Sequence, residues 1–191
     1  MTIEKLFEQL SGIRARVGVP LVLMGYVNPV LQFGVERFAD ACARVGVDGV
    51  ILPDLPLEVY EEEWGDIFVA RNLHFIGLIT PQTSEARMAR IDGATSGFLY
   101  AVSSQGTTGG ALTINEAREA YFRRLRRLRD EGTLRNPALI GFGIAGAESF
   151  AAACRFAAGG IIGSAFIKAI EDAPSDTLRE TTVRFLQEFR R

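Results

Sequence analysis

The sequence contains very little histidine and cysteine. Among its 191 residues are one histidine, His74, and two cysteines, Cys42 and Cys154, with no CxxC pair. A metal site is therefore not predicted. A Ser-His-Asp triad is not expected either, because the chain offers a single histidine for it. His74 opens an apolar run, which predicts a position at the start of a strand, away from any active site. We interpret both cysteines as small buried residues of a cytoplasmic protein.

Other absences exclude further classes of protein. No apolar run reaches the roughly 18 residues that a membrane-spanning helix needs, and the first ten residues, MTIEKLFEQL, are too charged for a signal peptide. The formal net charge of −2 argues against nucleic-acid binding, because such domains are usually strongly basic. The composition instead predicts a globular protein located in the cytoplasm.

Short apolar runs alternate with amphipathic stretches along the whole chain. Six runs are nearly continuous in apolar residues, as expected for strands buried on both faces: 20–26, 49–54, 74–80, 97–104, 138–143 and 159–166. The stretches between them have helical spacing, and a helix is predicted over residues 2–17 before the first run. The pattern predicts a single domain, 1–191, with one helix and then six β-α units.

Repeated β-α units indicate an α/β fold with a parallel sheet, either doubly wound or a (βα)8 barrel. The barrel is favoured because polar and glycine residues cluster after the strands, and because no first strand leads into GxGxxG. A complete TIM barrel takes about 250 residues and eight units. The sequence therefore predicts an incomplete barrel, with two units missing from its front.

Three strand ends are rich in glycine: YAVSSQGTTGG from Tyr100, GFGIAGAESF from Gly141, and GGIIGSAF from Gly159. The last two lead into predicted helices. Backbone N–H groups at such helix starts attract phosphate, and glycine lets the ligand approach closely. The glycines of each segment alone could serve only to form a turn, but three such segments together favour a phosphate site.

Candidates for acid–base chemistry are few. Asp54 ends its strand and is the best-placed acid, although bracing the turn before Leu55-Pro56 is an equally good interpretation. Tyr26 and Tyr100 also end strands and could donate hydrogen bonds to a ligand. The acidic run 61–63 and the basic run 123–129 are interpreted as solvated helix faces.

The ordered set PLVLMGYVNPVLQFG, GVDGVILPDLP, LITPQTS, YAVSSQGTTGG, GFGIAGAESF and GGIIGSAFIK resembles the tryptophan synthase α chain family. The resemblance covers the chain from about Met1 to its C-terminus. It implies a TIM-barrel lyase of tryptophan biosynthesis that cleaves indole-3-glycerol phosphate to indole and glyceraldehyde 3-phosphate. It also implies an α2β2 complex with a β chain. No cofactor is expected on this chain, because pyridoxal phosphate belongs to the β partner.

The resemblance implies the following site residues. Substrate contacts fall on Tyr100, Thr108, Gly109, Gly143, Gly163 and Ser164, with Thr108 in the loop that closes over substrate. Contacts with the β chain fall on Asn28, Pro53 and Pro56. Ser104 departs from the family's pattern, because some members carry arginine after the first serine of this loop.

The family's two catalytic carboxylates, a glutamate and an aspartate, belong to the first two β-α units. The chain is expected to lack those units, so no catalytic residue is assigned and the chain alone is expected to be inactive. Open strand edges are expected at 20–26 and 159–166. One alternative is a non-catalytic module that binds phosphate or regulates a β chain. A relative of indole-glycerol-phosphate synthase is less favoured, because its lysine and glutamate pattern is not found.

Overall fold

The computed structural model describes residues 2–102, 116–141 and 143–189. The chain divides into two compact units. The first comprises the chain up to Leu78 together with Arg90–Phe98, and the second comprises Ile79–Ala89 and Leu99–Arg191. The division falls between Leu78 and Ile79, between Ala89 and Arg90, and between Phe98 and Leu99.

The first unit contains three parallel strands and five helices. Its strands are β1 (Val22–Met24), β2 (Gly49–Ile51) and β3 (His74–Phe75), in the sheet order β1-β2-β3. Its helices are α1 (Ile3–Leu10), α2 (Val27–Phe33), α3 (Val35–Val45), α4 (Leu57–Val59) and α5 (Gly65–Val69). All three residues of β2 are buried, as expected for a central strand covered on both faces.

Helices α4 and α5 are joined by a π-helical turn, Tyr60–Trp64. The wider turn directs Tyr60 and Trp64 into the core, where the Tyr60 ring stacks on Phe75 at a centroid distance of 4.0 Å. Trp64 packs against Phe68, with ring centroids 6.0 Å apart. The acidic run 61–63 lies on the exposed side, which confirms that it forms a solvated helix face.

The second sheet comprises β4 (Leu78–Ile79), β5 (Leu99–Val102), β6 (Ala138–Gly141) and β7 (Gly159–Ile161), in that order. Strands β5, β6 and β7 run parallel, and the whole sheet except Leu78 lies in the second unit. The helices along this part of the chain are α6 (Glu85–Ala94), α7 (Glu116–Asp130), α8 (Ala147–Cys154), α9 (Ser164–Glu171) and α10 (Leu178–Gln187). Among the described residues, no helix has the length and apolar character needed to cross a membrane.

The strands fall within the six predicted apolar runs, but the run 74–80 forms two short strands instead of one. Gly77 lies at the break, where a Cβ would collide with Ile91 and the Thr95 hydroxyl. The backbone N–H of Gly77 donates to Thr95 Oγ1 at 3.1 Å instead of to another strand. The close approach of this helical segment therefore interrupts the strand.

Two helix predictions differ from the structure. The helix predicted over residues 2–17 ends at Leu10, because Gly12 adopts a left-handed conformation with φ of 73°, and a single 3-10 turn follows at Ile13–Ala15. No separate helix was predicted at the position of α2, directly after the first strand. Pro29 is compatible with this helix because the N–H groups of a first turn need no intrahelical acceptor.

Candidate functional site

The carboxyl ends of three neighbouring strands are aligned in the second unit. Val102 of β5 is paired with Gly141 of β6, and Gly141 is paired with Ile161 of β7. Gly143 and Gly163 each lie two residues beyond a paired position. The register therefore places Gly143 and Gly163 beyond equivalent points on adjacent strands, which is where α/β proteins bind their ligands.

Tyr100 lies beside this row of strand ends. It is buried on β5, and its ring covers Gly141, where a Cβ would overlap the phenol oxygen and ring carbons. Burial raises the pKa of Tyr100, so the phenol keeps its proton at neutral pH. A protonated phenol can donate a hydrogen bond, and the substrate contact assigned to Tyr100 stays a prediction.

Gly143 begins a tightly held connection between β6 and α8. It has a φ of 80°, in the left-handed region that glycine adopts most easily. The Ser149 hydroxyl accepts hydrogen bonds from the N–H groups of Ala145 and Gly146, at 3.1 and 3.2 Å, and donates to the Gly146 carbonyl at 2.9 Å. These bonds fix the end of the loop and leave Gly143 at its start.

Gly163 and Ser164 form the start of helix α9. Gly163 is the N-cap, and its carbonyl accepts the first helical hydrogen bond, from Ile167 N–H at 3.1 Å. Among the described residues, no atom lies within 4 Å of a Cβ added to Gly163, so these residues leave space open beside this helix start. The N–H groups of a first helical turn have no intrahelical acceptor and carry the positive end of the helix dipole. The geometry is suited to an anion.

Two predicted substrate contacts, Thr108 and Gly109, lie outside the described residues, as does Ser104. The residues beside that gap are firmly held. Helix α7 begins at Glu116, and its Tyr121 hydroxyl donates to the Ile79 carbonyl at 3.2 Å. Arg124 of the same helix donates to the Pro81 carbonyl at 2.8 Å. Helix α7 is thereby fixed to the segment that follows β4.

The predicted partner residues, Asn28, Pro53 and Pro56, are all exposed in the first unit. Asp54 joins the two segments that carry them, because its carboxylate accepts from Val27 N–H at 3.0 and 3.2 Å. The bracing interpretation of Asp54 therefore fits the structure, although the group braced is the start of α2. The three residues form one exposed region held by this bond.

Acidic and metal-binding groups do not assemble elsewhere in the described ranges. Within 2–102, 116–141 and 143–189, no three His, Cys, Asp or Glu side chains are arranged to hold a metal.

His74 is exposed at the start of β3, and its Nδ1 lies 3.0 Å from the Ser96 hydroxyl. The basic run 123–129 is largely neutralised by ion pairs on the helix surface, such as Arg127 with Glu131 at 2.9 Å.

Sequence reasoning missed the two residues that support the glycine loops. Ser149 holds the loop after Gly143, and Ile144 packs where a Cβ on Gly160 would otherwise lie. A signal for Ile144 was available, because two consecutive glycines inside a strand indicate that something approaches closely. Ser149 gave a weaker signal, since a serine in a first helical turn forms such bonds only in a particular backbone geometry.

Parallel strands with Gly143 and Gly163 beyond their aligned carboxyl ends define an α/β protein with a candidate site at one edge of its sheet. The family model described as "Tryptophan synthase alpha chain" matches residues 1–190. The chain is 49% identical to the tryptophan synthase alpha chain of Christiangramia forsetii over 172 residues, which are 90% of this chain and 66% of that one. It is 46% identical to that of Flavobacterium johnsoniae over 180 residues, 94% of this chain and 70% of that one.

Solved structures give the same assignment. The tryptophan synthase α-subunit of Pyrococcus furiosus matches with a TM-score of 0.82 and 29% identity, over 99% of this chain and 74% of that chain. The α2β2 complex from the same organism matches with a TM-score of 0.83, also at 29% identity and over the same shares. The chain belongs to the tryptophan synthase alpha chain family, a lyase family with the TIM-barrel fold. It spans about two thirds of the length of the curated relatives that it matches.

Proposed function

We propose that the chain is the substrate-holding part of a tryptophan synthase α-type lyase. The reaction is the retro-aldol cleavage of indole-3-glycerol phosphate to indole and glyceraldehyde 3-phosphate, in the cytoplasm. The observation that carries the proposal is the common register of β5, β6 and β7, with Gly143 and Gly163 each two residues beyond a paired position. The identity of the substrate is proposed because the chain belongs to this family.

In this proposal the residues have separate roles. Gly163 and Ser164 offer the N–H groups of a first helical turn to the phosphate, and Gly143 lets the neighbouring loop approach it. Tyr100 donates its phenol proton beside the indole-glycerol part of the substrate. Thr108 and Gly109, in the loop after β5, complete the phosphate contacts.

Binding and turnover can be tested separately. We expect the 191-residue chain to bind inorganic phosphate and indole-3-glycerol phosphate, and Gly163→Ala to weaken both by at least tenfold, because the added methyl group occupies the open space. The fold should tolerate this change, since a Cβ there meets no atom of the described part of the chain within 4 Å. Gly93→Ala, on the exposed surface of α6, is the matched control. Equal affinity of both variants, measured by calorimetry, would contradict the site.

We also propose that the chain is an incomplete barrel of six β-α units, and that by itself it does not turn over substrate. The two carboxylates that the family uses have no counterpart assigned in this chain, and Asp54 is engaged by the N–H of Val27. An assay for indole release at the rate of complete family members would refute this part. That result would leave the phosphate site unaffected, because phosphate binding is measured independently.

A non-catalytic module is the second candidate, and the engagement of Asp54 is the observation in its favour. Under either function we propose that Asn28, Pro53 and Pro56 contact a β chain, which carries the pyridoxal phosphate. Asn28→Lys should weaken binding to a tryptophan synthase β chain, measured by sedimentation. Val69→Lys, at an exposed position of α5, serves as the control. Both descriptions expect phosphate and the β chain to bind without indole formation. Binding of the β chain and inorganic phosphate without binding of indole-3-glycerol phosphate would favour the module.

A further inference from the structure

Ser149 lies in the first turn of helix α8, and its hydroxyl reaches back to the loop before the helix. Gly146 is the N-cap of α8, so Ser149 is the third helical residue. A polar side chain at this position can bond the N-cap N–H, which is one half of a capping box. Gly146 has no side chain to form the other half. Ser149 therefore makes the half of the box that points out of the helix.

The hydrogen bonds of this hydroxyl all go to the backbone of the loop. It accepts from the N–H groups of Ala145 and Gly146, at 3.1 and 3.2 Å, and donates to the Gly146 carbonyl at 2.9 Å. A serine hydroxyl has one proton and two lone pairs, so these three bonds use its full capacity. Ser149 has no hydrogen-bonding group left for a ligand and can act on one only through the loop.

Ile144 holds the same loop from its other side. Its side chain is buried and fills the space that a Cβ on Gly160 of β7 would occupy. Close packing of this kind leaves a side chain little freedom to move. The loop of residues 143–146 is thus attached to β7 by an apolar contact and to α8 by the hydroxyl of Ser149.

These attachments divide the N–H groups of the loop into two pairs. Ser149 engages those of Ala145 and Gly146, whereas those of Gly143 and Ile144 form no hydrogen bond with any other described residue. Gly143 has a left-handed φ of 80°, and successive N–H groups beside such a residue can converge on an anion. The two unused N–H groups are the ones nearer to the strand end.

We propose that Ser149 is a positioning residue of the phosphate site. It holds the loop of residues 143–146 in the shape that presents the N–H groups of Gly143 and Ile144 to the anion, and it does not touch the anion itself. A loop that is ordered before binding loses less conformational entropy on binding, which raises the affinity. This inference rests on the proposed function, because it takes the loop after β6 to bind phosphate.

The experiment compares the unchanged 191-residue chain with Ser149→Ala and Ser149→Thr. Inorganic phosphate is the probe, and its affinity is measured by calorimetry. Ser149→Ala removes all three bonds and should weaken phosphate binding by about three- to tenfold, because the loop must then be ordered on binding. Ser149→Thr keeps the hydroxyl and should bind phosphate as the unchanged chain does.

Amide hydrogen exchange shows whether the loop is the part that responds. In Ser149→Ala, the N–H groups of Ala145 and Gly146 lose their acceptor and should exchange faster. The N–H of Ile167 bonds the Gly163 carbonyl on the neighbouring helix start and should keep its exchange rate. Faster exchange at Ile167 as well would mean that the change disturbs the whole site, which contradicts a role confined to this loop.

Thr177→Ala is the matched control. The Thr177 hydroxyl also donates to the carbonyl three residues earlier, that of Pro174 at 3.2 Å, but it is exposed and lies before α10. Helix α9, about 12 Å long, separates this position from Gly163. Thr177→Ala should therefore bind phosphate as the unchanged chain does.

Two results would overturn the role of Ser149 while leaving the phosphate site in place. The first is equal phosphate affinity of Ser149→Ala and Thr177→Ala, which would reduce Ser149 to a cap of α8 even if the free energy of unfolding falls. The second is a loss in Ser149→Ala that Ser149→Thr does not restore. An unchanged chain that binds no phosphate would instead refute the proposed site, and this role with it.

Discussion

Asp48 is the residue that fixes the segment entering β1. Its carboxylate accepts from Leu21 N–H at 2.7 Å and forms an ion pair with Arg14. Arg14 also donates to the carbonyls of Gly46 and Val19, both at 2.7 Å. The bond from Leu21 N–H, and next the Arg14 guanidinium, hold the pKa of Asp48 below its usual value. The ionised carboxylate is thus the form that the fold stabilises.

Asp48→Asn should lower the free energy of unfolding at pH 7 by about 1 kcal/mol, since the side chain is partly exposed. Because the folded pKa is depressed, the contribution is complete above the unfolded value of about 3.9 and is lost as pH falls through the folded pKa. Urea unfolding between pH 7 and pH 3 should show the two proteins converging at the acidic end. Asp176→Asn, an exposed control, should follow the unchanged chain, and a constant difference for Asp48→Asn would contradict this account.

Gly141 is required for space at the strand ends. Its backbone lies under the ring of Tyr100, so Gly141→Ala forces the ring or the strand to move. Such overpacking costs about 1–3 kcal/mol, measurable by urea unfolding. Gly18→Ala is the matched control, because a Cβ on Gly18 meets nothing within 4 Å. Equal stability of the two variants would show that Tyr100 does not hold the position described.

At the level of elements, the sequence predicted the strands better than the helices. Continuous apolar runs located every strand, because parallel strands are buried on both faces and need no alternation. The break at Gly77 was not predictable, since it depends on Thr95, which lies 18 residues away. Helix α2 was missed because Asn28-Pro29 is also a turn signal, although Val27, Val30 and Leu31 have helical spacing.

The sequence predicted the positions of the glycines in the candidate site, but not the side chains that support them. Strand order and glycine position located Gly143 and Gly163, because loops after parallel strands lie at one edge of the sheet. The hydroxyl of Ser149 and the packing of Ile144 on Gly160 depend on side-chain directions that sequence spacing does not give. Asn28, Pro53 and Pro56 are exposed. Their interface role was suggested only by the family resemblance and stays a prediction.

Thr95 provides a test of how the segment after α6 is joined to the β3–β4 break. Its hydroxyl accepts from Gly77 N–H at 3.1 Å and donates to the Ile91 carbonyl at 2.7 Å. Thr95→Val keeps the shape but leaves the buried Gly77 N–H without this acceptor, at a cost of about 1–3 kcal/mol. Thr182→Val removes an exposed hydroxyl that bonds its own helix, and should change stability by less than about 0.5 kcal/mol. Similar losses, measured by urea unfolding, would contradict a specific role for Thr95.

At the level of the whole molecule, the two cysteines are in contrasting environments. Cys42 lies in the core of the first unit at 0% exposure, and burial raises its pKa to about 12. Cys154 is exposed at the end of α8, so the prediction that both cysteines are buried is wrong for Cys154. The thiolate is the reactive form, so Cys42 should be inert in the folded chain while Cys154 reacts at once.

Thiol labelling should therefore report how the first unit opens. In a Cys154→Ser variant, Cys42 should react only when the unit unfolds, at the rate at which the fluorescence of Trp64 changes. Both residues are buried in the same core, and Trp64 is the only tryptophan in the chain. The rates of labelling and fluorescence should rise together with urea concentration. Labelling of Cys42 well before the fluorescence change would instead mean that α3 separates from the core while Trp64 remains packed. That result would contradict a first unit that unfolds as one cooperative core.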